Sequence, residues 1–427
     1  MKTTLRVLQP EYCGSFSCIG GACENNCCFR NWDIHIDKKT YNTYRNTKDA
    51  QMAAKLKLVL KRRRGDNVTD GTYAQFDFGE DKQCPFQVDG LCEIQLKLGH
   101  KALSRTCQTY PRMYSLVKEE FIEESISMSC PAAVRAALFN EKPMEFVLVA
   151  KEFDTEHGML PIPSKPLEEY TGFVWATREA CIDIMQNRGY TLSERIFTIG
   201  MLLQKITKLH EEGKDAEIPA AVDVYRTAAK AGEFHQLGDF PKSEGAAQEI
   251  RTILYSVIIA NAQVKKEPTY EPLREFVREM FQQEEQSEVP EDEEYYMEPY
   301  MHHLAQQRAA AHWERFLKEK GHVLENYFVN HIFSSIFPFA GDTVNYAEKM
   351  TPYQQFCVLA QQYALLRIVL CGLADEENGI CDALITRVVS CIAHLGVHSS
   401  ALKQVATQYY NGEALGSLAN MYFLLKD

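Results

Sequence analysis

The spacing of apolar and polar residues changes character near residue 140 of this 427-residue chain. Before that point, short apolar stretches are separated by turn residues, and "TYAQFDF" at 72–78 alternates as a β-strand does. Beyond residue 167, apolar residues recur every three or four positions over long stretches. That period predicts amphipathic helices, so we expect a mainly α protein that begins with a small α+β region.

Local signals predict the elements of the first region. Asp89-Gly90 is a strong tight-turn pair, and "MYSLVKEEFIEESISMS" predicts a hairpin with Glu119 and Glu120 near its turn. Pro131 takes a first-turn position that proline tolerates at the start of a helix. Helical spacing is found at 49–64, which ends in a basic run, at 93–104, and from Pro131 onward.

The second region begins after a proline-rich stretch, "MLPIPSKP" at 159–166. Thr191 to Glu194 is a capping box, which opens a helix that ends at Gly213. Further helices are predicted at 244–263, 271–283, 296–319, 322–336, 352–373, 379–395 and 398–426. We therefore divide the chain into a first domain at 1–140, a connector at 141–166 and a helical domain at 167–427.

Composition limits the classes of function. Hydrophobic residues make up 45% and charged residues 24%, as in ordinary globular proteins. No apolar run approaches the roughly 20 residues of a membrane span, and the N-terminus lacks the apolar core of a signal peptide. We expect a cytoplasmic protein without a membrane span. The net charge of -12 argues against nucleic-acid binding, which draws on clustered Lys and Arg.

Cysteine usage indicates a metal site. Nine of the 14 cysteines lie in the first 130 residues, and a reducing cytoplasm makes a disulfide framework improbable. The other five lie in apolar helical patterns and are interpreted as small core residues. Cys13 is left out, because four-fold sites are already filled without it. The predicted metal ligands are Cys18, Cys23, Cys27, Cys28, Cys84, Cys92, Cys107 and Cys130.

The spacing of these thiols leaves the metal and the number of sites open. Zinc usually binds paired C-x2-C or C-x4-C knuckles, and only Cys18-x4-Cys23 has that form. Iron-sulfur clusters accept thiolates from irregular loops, so they fit this spacing better. The expected fold class is therefore mainly α with a small α+β, cysteine-rich, metal-binding N-terminal region.

Chain geometry suggests how the downstream thiols could meet. A two-residue turn at Asp89-Gly90 places Cys92 opposite Gln87, which leaves Cys84 roughly 10 Å along the strand at ~3.3 Å per residue. That gap suits two sites or a bent strand. Adjacent Cys27 and Cys28 can converge in a turn or serve two different sites. Cys130 precedes a helix, whose first amides favour a thiolate.

Motifs of several enzyme classes are missing from the sequence. It contains no dinucleotide-binding G-x-G-x-x-G after a strand, no P-loop and no H-E-x-x-H zinc motif. The C-x3-C-x2-C spacing of radical S-adenosylmethionine enzymes also fails, because Arg30 occupies the position of the third cysteine. A standard radical mechanism is therefore not supported.

The cysteine blocks resemble those of a known family. "FSCIGGACENNCCFRNWDIHIDKKTY", "CPFQVDGLCEIQLKLG", "SRTCQTYPR" and "SISMSCPAA" are similar to blocks of the flagellin lysine N-methylase (FliB-like) family, and "LENYFVNHIFSSIFPF" extends the likeness into the helical half. The resemblance implies transfer of methyl groups from S-adenosylmethionine to lysine amines of flagellin. It also implies an iron-sulfur cluster, expected to be of the 4Fe-4S type. Spacing alone predicts a metal site and favours iron-sulfur, but it does not predict methyl transfer.

Methyl transfer to lysine sets a chemical requirement. The amine has a reference pKa near 10.4, so it needs a base or desolvation before its nitrogen can attack. Tyr110, near Cys107, is the candidate base, and Arg112 is a candidate partner for the carboxylate of the methyl donor. The structural alternatives are that Tyr110 packs and that Arg112 donates to backbone. No other donor-binding residue can be named.

Two other classes of protein remain open at this stage. A non-catalytic zinc- or iron-binding protein would use its cysteine module to support a helical scaffold that docks a partner or serves in redox chemistry. An electron-transfer protein is the third hypothesis, although the helical half is larger than such a carrier needs. Dependence on S-adenosylmethionine distinguishes the methylase from both.

Overall fold

The computed structural model describes residues 2–29, 34–65, 68–79, 84–118, 121–154, 172–235, 244–284, 297–339, 350–375, 377–398, 401–409 and 416–426. The proline-rich stretch at 159–166 and the hairpin turn at Glu119 and Glu120 lie outside these residues. The chain forms two compact units. The first takes in Met1–Ala133, Val147–Ile162 and Glu267–Thr269, and the second takes in Val134–Phe146, Pro163–Lys266 and Tyr270–Asp427.

The strands form three small sheets. They are β1 Lys2–Pro10, β2 His35–Ile36, β3 Leu60–Arg62, β4 Ala74–Phe76, β5 Gln87–Val88, β6 Leu91–Cys92, β7 Arg112–Lys118, β8 Phe121–Ile126 and β9 Phe146–Asp154. The largest sheet has the order β7-β8-β1-β9, the second has the order β2-β4-β3, and β5 pairs with β6.

The four-stranded sheet combines a predicted hairpin with two strands that the sequence did not predict. β7 and β8 pair antiparallel, as the hairpin pattern predicted. β1 pairs parallel to β8, with Val7 opposite Ile122, and β9 lies on the other side of β1. β9 occupies part of the stretch predicted as a connector. A parallel pair joins segments far apart in sequence, so no local turn announces it.

Short helices complete the first unit. They are α1 Tyr12–Ser15, α2 Lys38–Arg45, α3 Ala50–Val59, α4 Glu93–Leu98 and α5 Arg105–Thr109, and α6 Pro131–Leu138 begins in this unit and belongs to the second unit from Val134 onward. Pro131 begins α6 as predicted. The predicted helix at 93–104 is interrupted at Gly99, whose φ of 85° is left-handed, and resumes as the 3-10 turn His100–Ala102.

The prediction of one helix over 49–64 is wrong at its basic end. The helix stops at Val59, and Leu60–Arg62 form strand β3, paired with β4 through Lys61 opposite Gln75. The guanidinium of Arg62 lies 4.8 Å from the centre of the Tyr73 ring. Pairing with β4 and stacking on Tyr73 thus override a helical pattern of modest intrinsic preference.

The second unit is built from long helices, which confirms the mainly α class. They are α7 Val174–Met185, α8 Leu192–Glu211, α9 Ile218–Ala231, α10 Glu244–Val264, α11 Glu271–Glu284, α12 Met297–Ser334, α13 Pro352–Gly372, α14 Asp382–His398, α15 Ala401–Tyr409 and α16 Leu418–Lys426. Thr191 and Glu194 form the predicted capping box of α8. α7 and α9 were not predicted, and the single helix predicted at 398–426 is two helices, α15 and α16.

Helix α12 unites two predicted helices. Its backbone leaves helical geometry at Lys320, with φ of −133°, which is the point between the predicted ends at 319 and 322. Nearby, buried Glu325 accepts hydrogen bonds from Arg188 and from Arg195 at 2.8 Å, and these ion pairs tie α12 to α8 and to the end of α7. A carboxylate with two such cations is well compensated for burial.

Helix α13 is the centre of the second unit. Its residues Phe356, Leu359, Leu365 and Val369 are fully buried. The helix is long and apolar enough to cross a membrane, contrary to the expectation that no apolar run approaches that length, but 83% of its most apolar window is buried inside the protein. Burial of this kind is typical of a core helix.

Candidate metal centre in the cysteine-rich unit

Five of the eight predicted ligands converge in the first unit. The Cys28 thiol is hydrogen-bonded to the thiols of Cys27 and Cys84. Cys92 and Cys107 lie near enough that the charges of Cys84 and Cys27 act on both of them. Cys27 and Cys107 are exposed, whereas the other three are half-buried. Thiols from three separate stretches of the chain therefore share one location.

Asn26 holds the first pair of thiols in place. Cys27–Phe29 form a 3-10 turn, in which neighbouring side chains can converge as they cannot in a strand. The buried Asn26 side chain accepts the Cys28 amide at 2.9 Å and donates to the Gly90 carbonyl at 2.7 Å. It thereby ties the Cys27-Cys28 turn to the hairpin that carries Cys92. Sequence reasoning did not single out Asn26.

The β5-β6 hairpin confirms the predicted pairing of Gln87 with Cys92. It also shows how Cys84 and Cys92 come close together despite their separation along the chain. Gln87 lies opposite Cys92, and Asp89 and Gly90 both have positive φ, as a two-residue turn of this kind requires. The Gln87 amide donates to the Cys84 carbonyl at 3.1 Å, so the chain bends between them. This bend, rather than a straight strand, brings Cys84 into range of Cys92.

Cys92 and Cys107 both lie at the beginnings of helices. Cys92 caps α4, and the amides of Gln95 and Ile94 act on its thiol. Cys107 is in the first turn of α5, where its amide donates to the Ser104 hydroxyl at 3.3 Å. Amides at helix starts stabilise negative charge, and at Cys92 they oppose the larger effect of burial on the pKa of its thiol.

Mutual hydrogen bonds and burial shift the pKa values of these thiols. Hydrogen bonds with Cys27 and Cys84 raise the pKa of Cys28, and the same bond from Cys28 lowers the pKa of Cys84. Burial raises the pKa of Cys92. Although part of Cys107 reaches solvent, surrounding atoms desolvate its thiol and raise its pKa to about 12. Only a bound cation would favour several thiolates here.

The remaining predicted ligands lie in neighbouring segments. Cys18 is exposed and its sulfur accepts the Gly20 amide at 3.4 Å. Cys23 is half-buried after the 3-10 turn Gly20–Ala22, which packs against the turn at Asp89-Gly90. Cys130 is half-buried immediately before α6, as its sequence position predicted. Their assignment as ligands stays a prediction.

The converging side chains of this site are all thiols. In the stretches that the structure describes, no group of three or more His, Cys, Asp or Glu side chains is arranged to hold one metal ion. Five converging thiols, with no histidine or carboxylate needed, are the donor chemistry that iron-sulfur clusters use.

The structure gives Tyr110 and Arg112 different surroundings. The Tyr110 hydroxyl lies 3.1 Å from the Ser129 hydroxyl, which lies 2.8 Å from that of Ser127. The Arg112 guanidinium donates to the carbonyls of Cys13 and Phe16, both at 3.1 Å. It also pairs with Glu124, which is fully buried and bonded to Lys151. These contacts of Arg112 are those of a structural anchor.

A cleft lies beside the helix that carries Cys107. Its volume is about 670 Å³, and it runs between α2, the turn at Asp70-Gly71 and α5. Lys38, Lys39 and Arg105 line it together with Asp37 and Asp70. Lys38 and Asp70 pair across it at 3.3 Å. Its size is that of a small-molecule site, and its lining offers partners of both charges.

Comparison with known proteins identifies the family. A family model described as the FliB lysine N-methylase C-terminal domain matches residues 178–424, more than half of the chain. The chain belongs to this family. This membership confirms the family expected from the sequence, although the match lies in the helical half and not in the N-terminal cysteine blocks, and the enzyme class is that of a protein-lysine N-methyltransferase.

Individual FliB-related proteins match a smaller part of the chain. The flagellar biosynthetic protein FliU of Salmonella muenchen is 32% identical over 163 residues, which cover 36% of this chain and 89% of FliU. The lysine-N-methylases of Salmonella typhimurium and Salmonella choleraesuis are each 31% identical over 163 residues, 35% of this chain and 38% of the relative. No solved structure matches the chain.

Proposed function

We propose that this protein transfers methyl groups from S-adenosylmethionine to lysine amines of flagellin and carries an iron-sulfur cluster in its first unit. Family membership supports the transfer to protein lysine. The observation that carries the cluster is the convergence of Cys27, Cys28, Cys84, Cys92 and Cys107. Cysteines gathered from distant segments and left reduced are the ligand set of such a cluster.

The cluster takes four of these five thiols. Cys84, Cys92 and Cys107 each come from a different local element, whereas Cys27 and Cys28 are adjacent. One thiol of the adjacent pair therefore completes the set, and the other lies beside it. When bound, the cluster would supply a cross-link between these segments and a one-electron redox centre. Cys18, Cys23 and Cys130 remain candidates for further ligation.

Tyr110 is the proposed acceptor of the lysine proton. The lysine amine is protonated near neutral pH and must lose that proton before its nitrogen attacks the sulfonium methyl group. As a phenolate, Tyr110 would take the proton from the lysine ammonium and become a neutral phenol, which leaves the amine neutral; the Ser129 hydroxyl, 3.1 Å away, can donate a hydrogen bond to that phenolate. Tyr110 is in the segment directly after α5, and so lies close along the chain to Cys107.

The cleft beside α5 is the proposed site for the methyl donor. S-Adenosylmethionine carries a carboxylate, an ammonium group and a sulfonium group, so its site needs partners of both signs. Arg105 and Lys39 could hold the carboxylate, and Asp37 or Asp70 the cationic groups. A cleft of about 670 Å³ is within the range of small-molecule sites.

The experiment is a methylation assay on anaerobically purified protein. Iron and acid-labile sulfide are measured first, and the protein is then incubated with methyl-labelled S-adenosylmethionine and flagellin. We expect label on flagellin lysines, with mass increments of one methyl group. Flagellin with chemically acetylated lysines is the matched control and should take up no label, because an amide nitrogen is a poor nucleophile.

Two results would overturn parts of this proposal. Stoichiometric zinc without sulfide would replace the iron-sulfur cluster by a zinc site. Unlabelled flagellin in the presence of an intact cluster would remove flagellin as the substrate and favour a docking or redox protein. Loss of donor binding in an Arg105→Ala variant, measured by calorimetry, would support the cleft, and unchanged binding would place the donor elsewhere.

A further inference from the structure

Tyr44 is buried beside the converging thiols. It lies in the last turn of α2 and is 1% exposed. Its ring stacks on Phe76, with centres 5.8 Å apart, and Phe76 packs on Phe86. Cys84 and Cys92 pack against this same apolar core. The ring of Tyr44 therefore fills the core on which two of the proposed ligands rest.

The hydroxyl of Tyr44 has no partner among the residues that the structure describes. A buried hydroxyl without a hydrogen bond costs about 1–3 kcal/mol, and the large majority of such groups in native proteins are paired. Phenylalanine would fill the same core without that cost. The presence of tyrosine here indicates an acceptor that the amino-acid side chains do not provide.

The surroundings of the hydroxyl identify the kind of acceptor. The charges that act on it most strongly are those of Cys107 and Cys92, followed by Asp37 and Cys84. The Asp37 carboxylate accepts from the Thr40 amide and hydroxyl and makes no hydrogen bond to the Tyr44 hydroxyl. Sulfur is thus the acceptor chemistry that remains near the hydroxyl.

We propose that Tyr44 donates its hydroxyl hydrogen bond to a sulfur of the iron-sulfur cluster and thereby raises the reduction potential of the cluster. This inference rests on the proposed cluster. Reduction adds negative charge to the cluster, and a hydrogen bond to sulfur stabilises that charge, so hydrogen bonds of this kind set the potential. Tyr44 is a positioning and tuning residue and takes no part in the methyl transfer itself.

The experiment compares Tyr44→Phe with Tyr41→Phe. Tyr41 lies on the same helix and packs against the same apolar core, but it is only partly buried and makes an edge contact with Tyr73, so it controls for loss of a phenol hydroxyl elsewhere on that core. Iron and sulfide are measured in each protein, followed by the midpoint potential in an anaerobic titration. We expect full iron content in both variants and a shift to lower potential in Tyr44→Phe alone.

The melting temperature of Tyr44→Phe is a second test, which can be used even if this variant assembles the cluster poorly. Without the cluster, Tyr44→Phe removes an unpaired buried hydroxyl and should raise the melting temperature of the metal-free protein. With the cluster, the same change removes a hydrogen bond and should not raise it. This reversal between the two forms is not expected of a residue that only packs.

The outcomes separate this inference from the proposed function. Wild-type protein without iron and sulfide would overturn the cluster and the inference together. An intact cluster whose potential is unchanged in Tyr44→Phe would overturn the inference alone. Equal shifts in Tyr44→Phe and Tyr41→Phe would show a packing effect and would also overturn it.

Discussion

Cys28 and Cys84 are joined by two hydrogen bonds, one between their backbones and one between their thiols. The Cys84 amide donates a 3.0 Å hydrogen bond to the Cys28 carbonyl, and the two thiols are hydrogen-bonded as well. The backbone bond fixes the distance between the segments that carry Cys27-Cys28 and Cys92. Residues far apart in the sequence thus form one thiol site.

Replacement of Cys84 by serine should abolish cluster assembly. A serine hydroxyl is a poor ligand for iron, and metal binding contributes to the stability of the unit that it cross-links. We expect the anaerobically purified Cys84→Ser variant to lose most of its iron and sulfide. Cys381→Ser changes a cysteine of the helical unit that is exposed, contrary to its interpretation as a core residue, and should retain both. Equal loss in the two variants would contradict the assignment.

Replacement of Tyr110 by phenylalanine should slow methylation without loss of iron. A general base typically contributes ~10² to 10⁴-fold to a rate, so the initial rate should fall by at least ~10²-fold. Ser129→Ala breaks the same hydroxyl contact but keeps the phenol, and should cost about 1 kcal/mol of stability with a much smaller loss of rate. Similar rates for wild type and Tyr110→Phe would exclude Tyr110 as the base.

Replacement of Arg112 by methionine should destabilise the first unit. It removes the donor to the Cys13 and Phe16 carbonyls and leaves buried Glu124 with Lys151 as its cation. We expect a loss of about 2–3 kcal/mol in urea unfolding. The dissociation constant for S-adenosylmethionine should stay unchanged if Arg112 is an anchor. A large rise in that constant in a folded variant would assign Arg112 to the donor carboxylate instead.

Replacement of Gly200 by alanine should destabilise the second unit. A methyl group at this position of α8 would overlap the ring of Phe356 in α13. Overpacking of this kind costs about 1–3 kcal/mol. Gly321→Ala is the matched control, because its methyl group would meet no atom within 4 Å, and it should be neutral or stabilise α12 slightly. Calorimetric melting of both variants tests the packing of α8 against α13.

Stability should fall in mild acid through His331. Burial lowers the pKa of His331 to about 4, below its ordinary value, with the Lys403 charge acting in the same direction. At pH values between these two pKa values, the unfolded chain therefore binds more protons than the folded chain. The contribution of His331 to the free energy of unfolding is complete above the ordinary pKa and is lost as the pH falls toward 4. Urea unfolding at several pH values should show a shallower decline in His331→Gln than in wild type.

The local elements could be predicted from the amino-acid pattern. The capping box at Thr191 and Glu194, the turn at Asp89-Gly90 and the helical periodicity beyond residue 167 act between near neighbours, so the pattern is enough to predict them. It also placed Cys92 opposite Gln87 and indicated the family through the cysteine blocks. It did not predict α7 and α9, and it extended α3 into the strand β3.

Features that depend on contacts between distant segments could not be predicted from the sequence pattern. β1 is a strand through its parallel pairing with β8, and Leu60–Arg62 are a strand through their pairing with β4. Five thiols of the eight meet because the Asn26 side chain and a bend at Cys84 join their segments. Tyr44 has an unpaired hydroxyl beside them because its helix packs on their core. Such contacts between distant segments leave no periodic trace in the sequence, so the chain must fold before they can be seen.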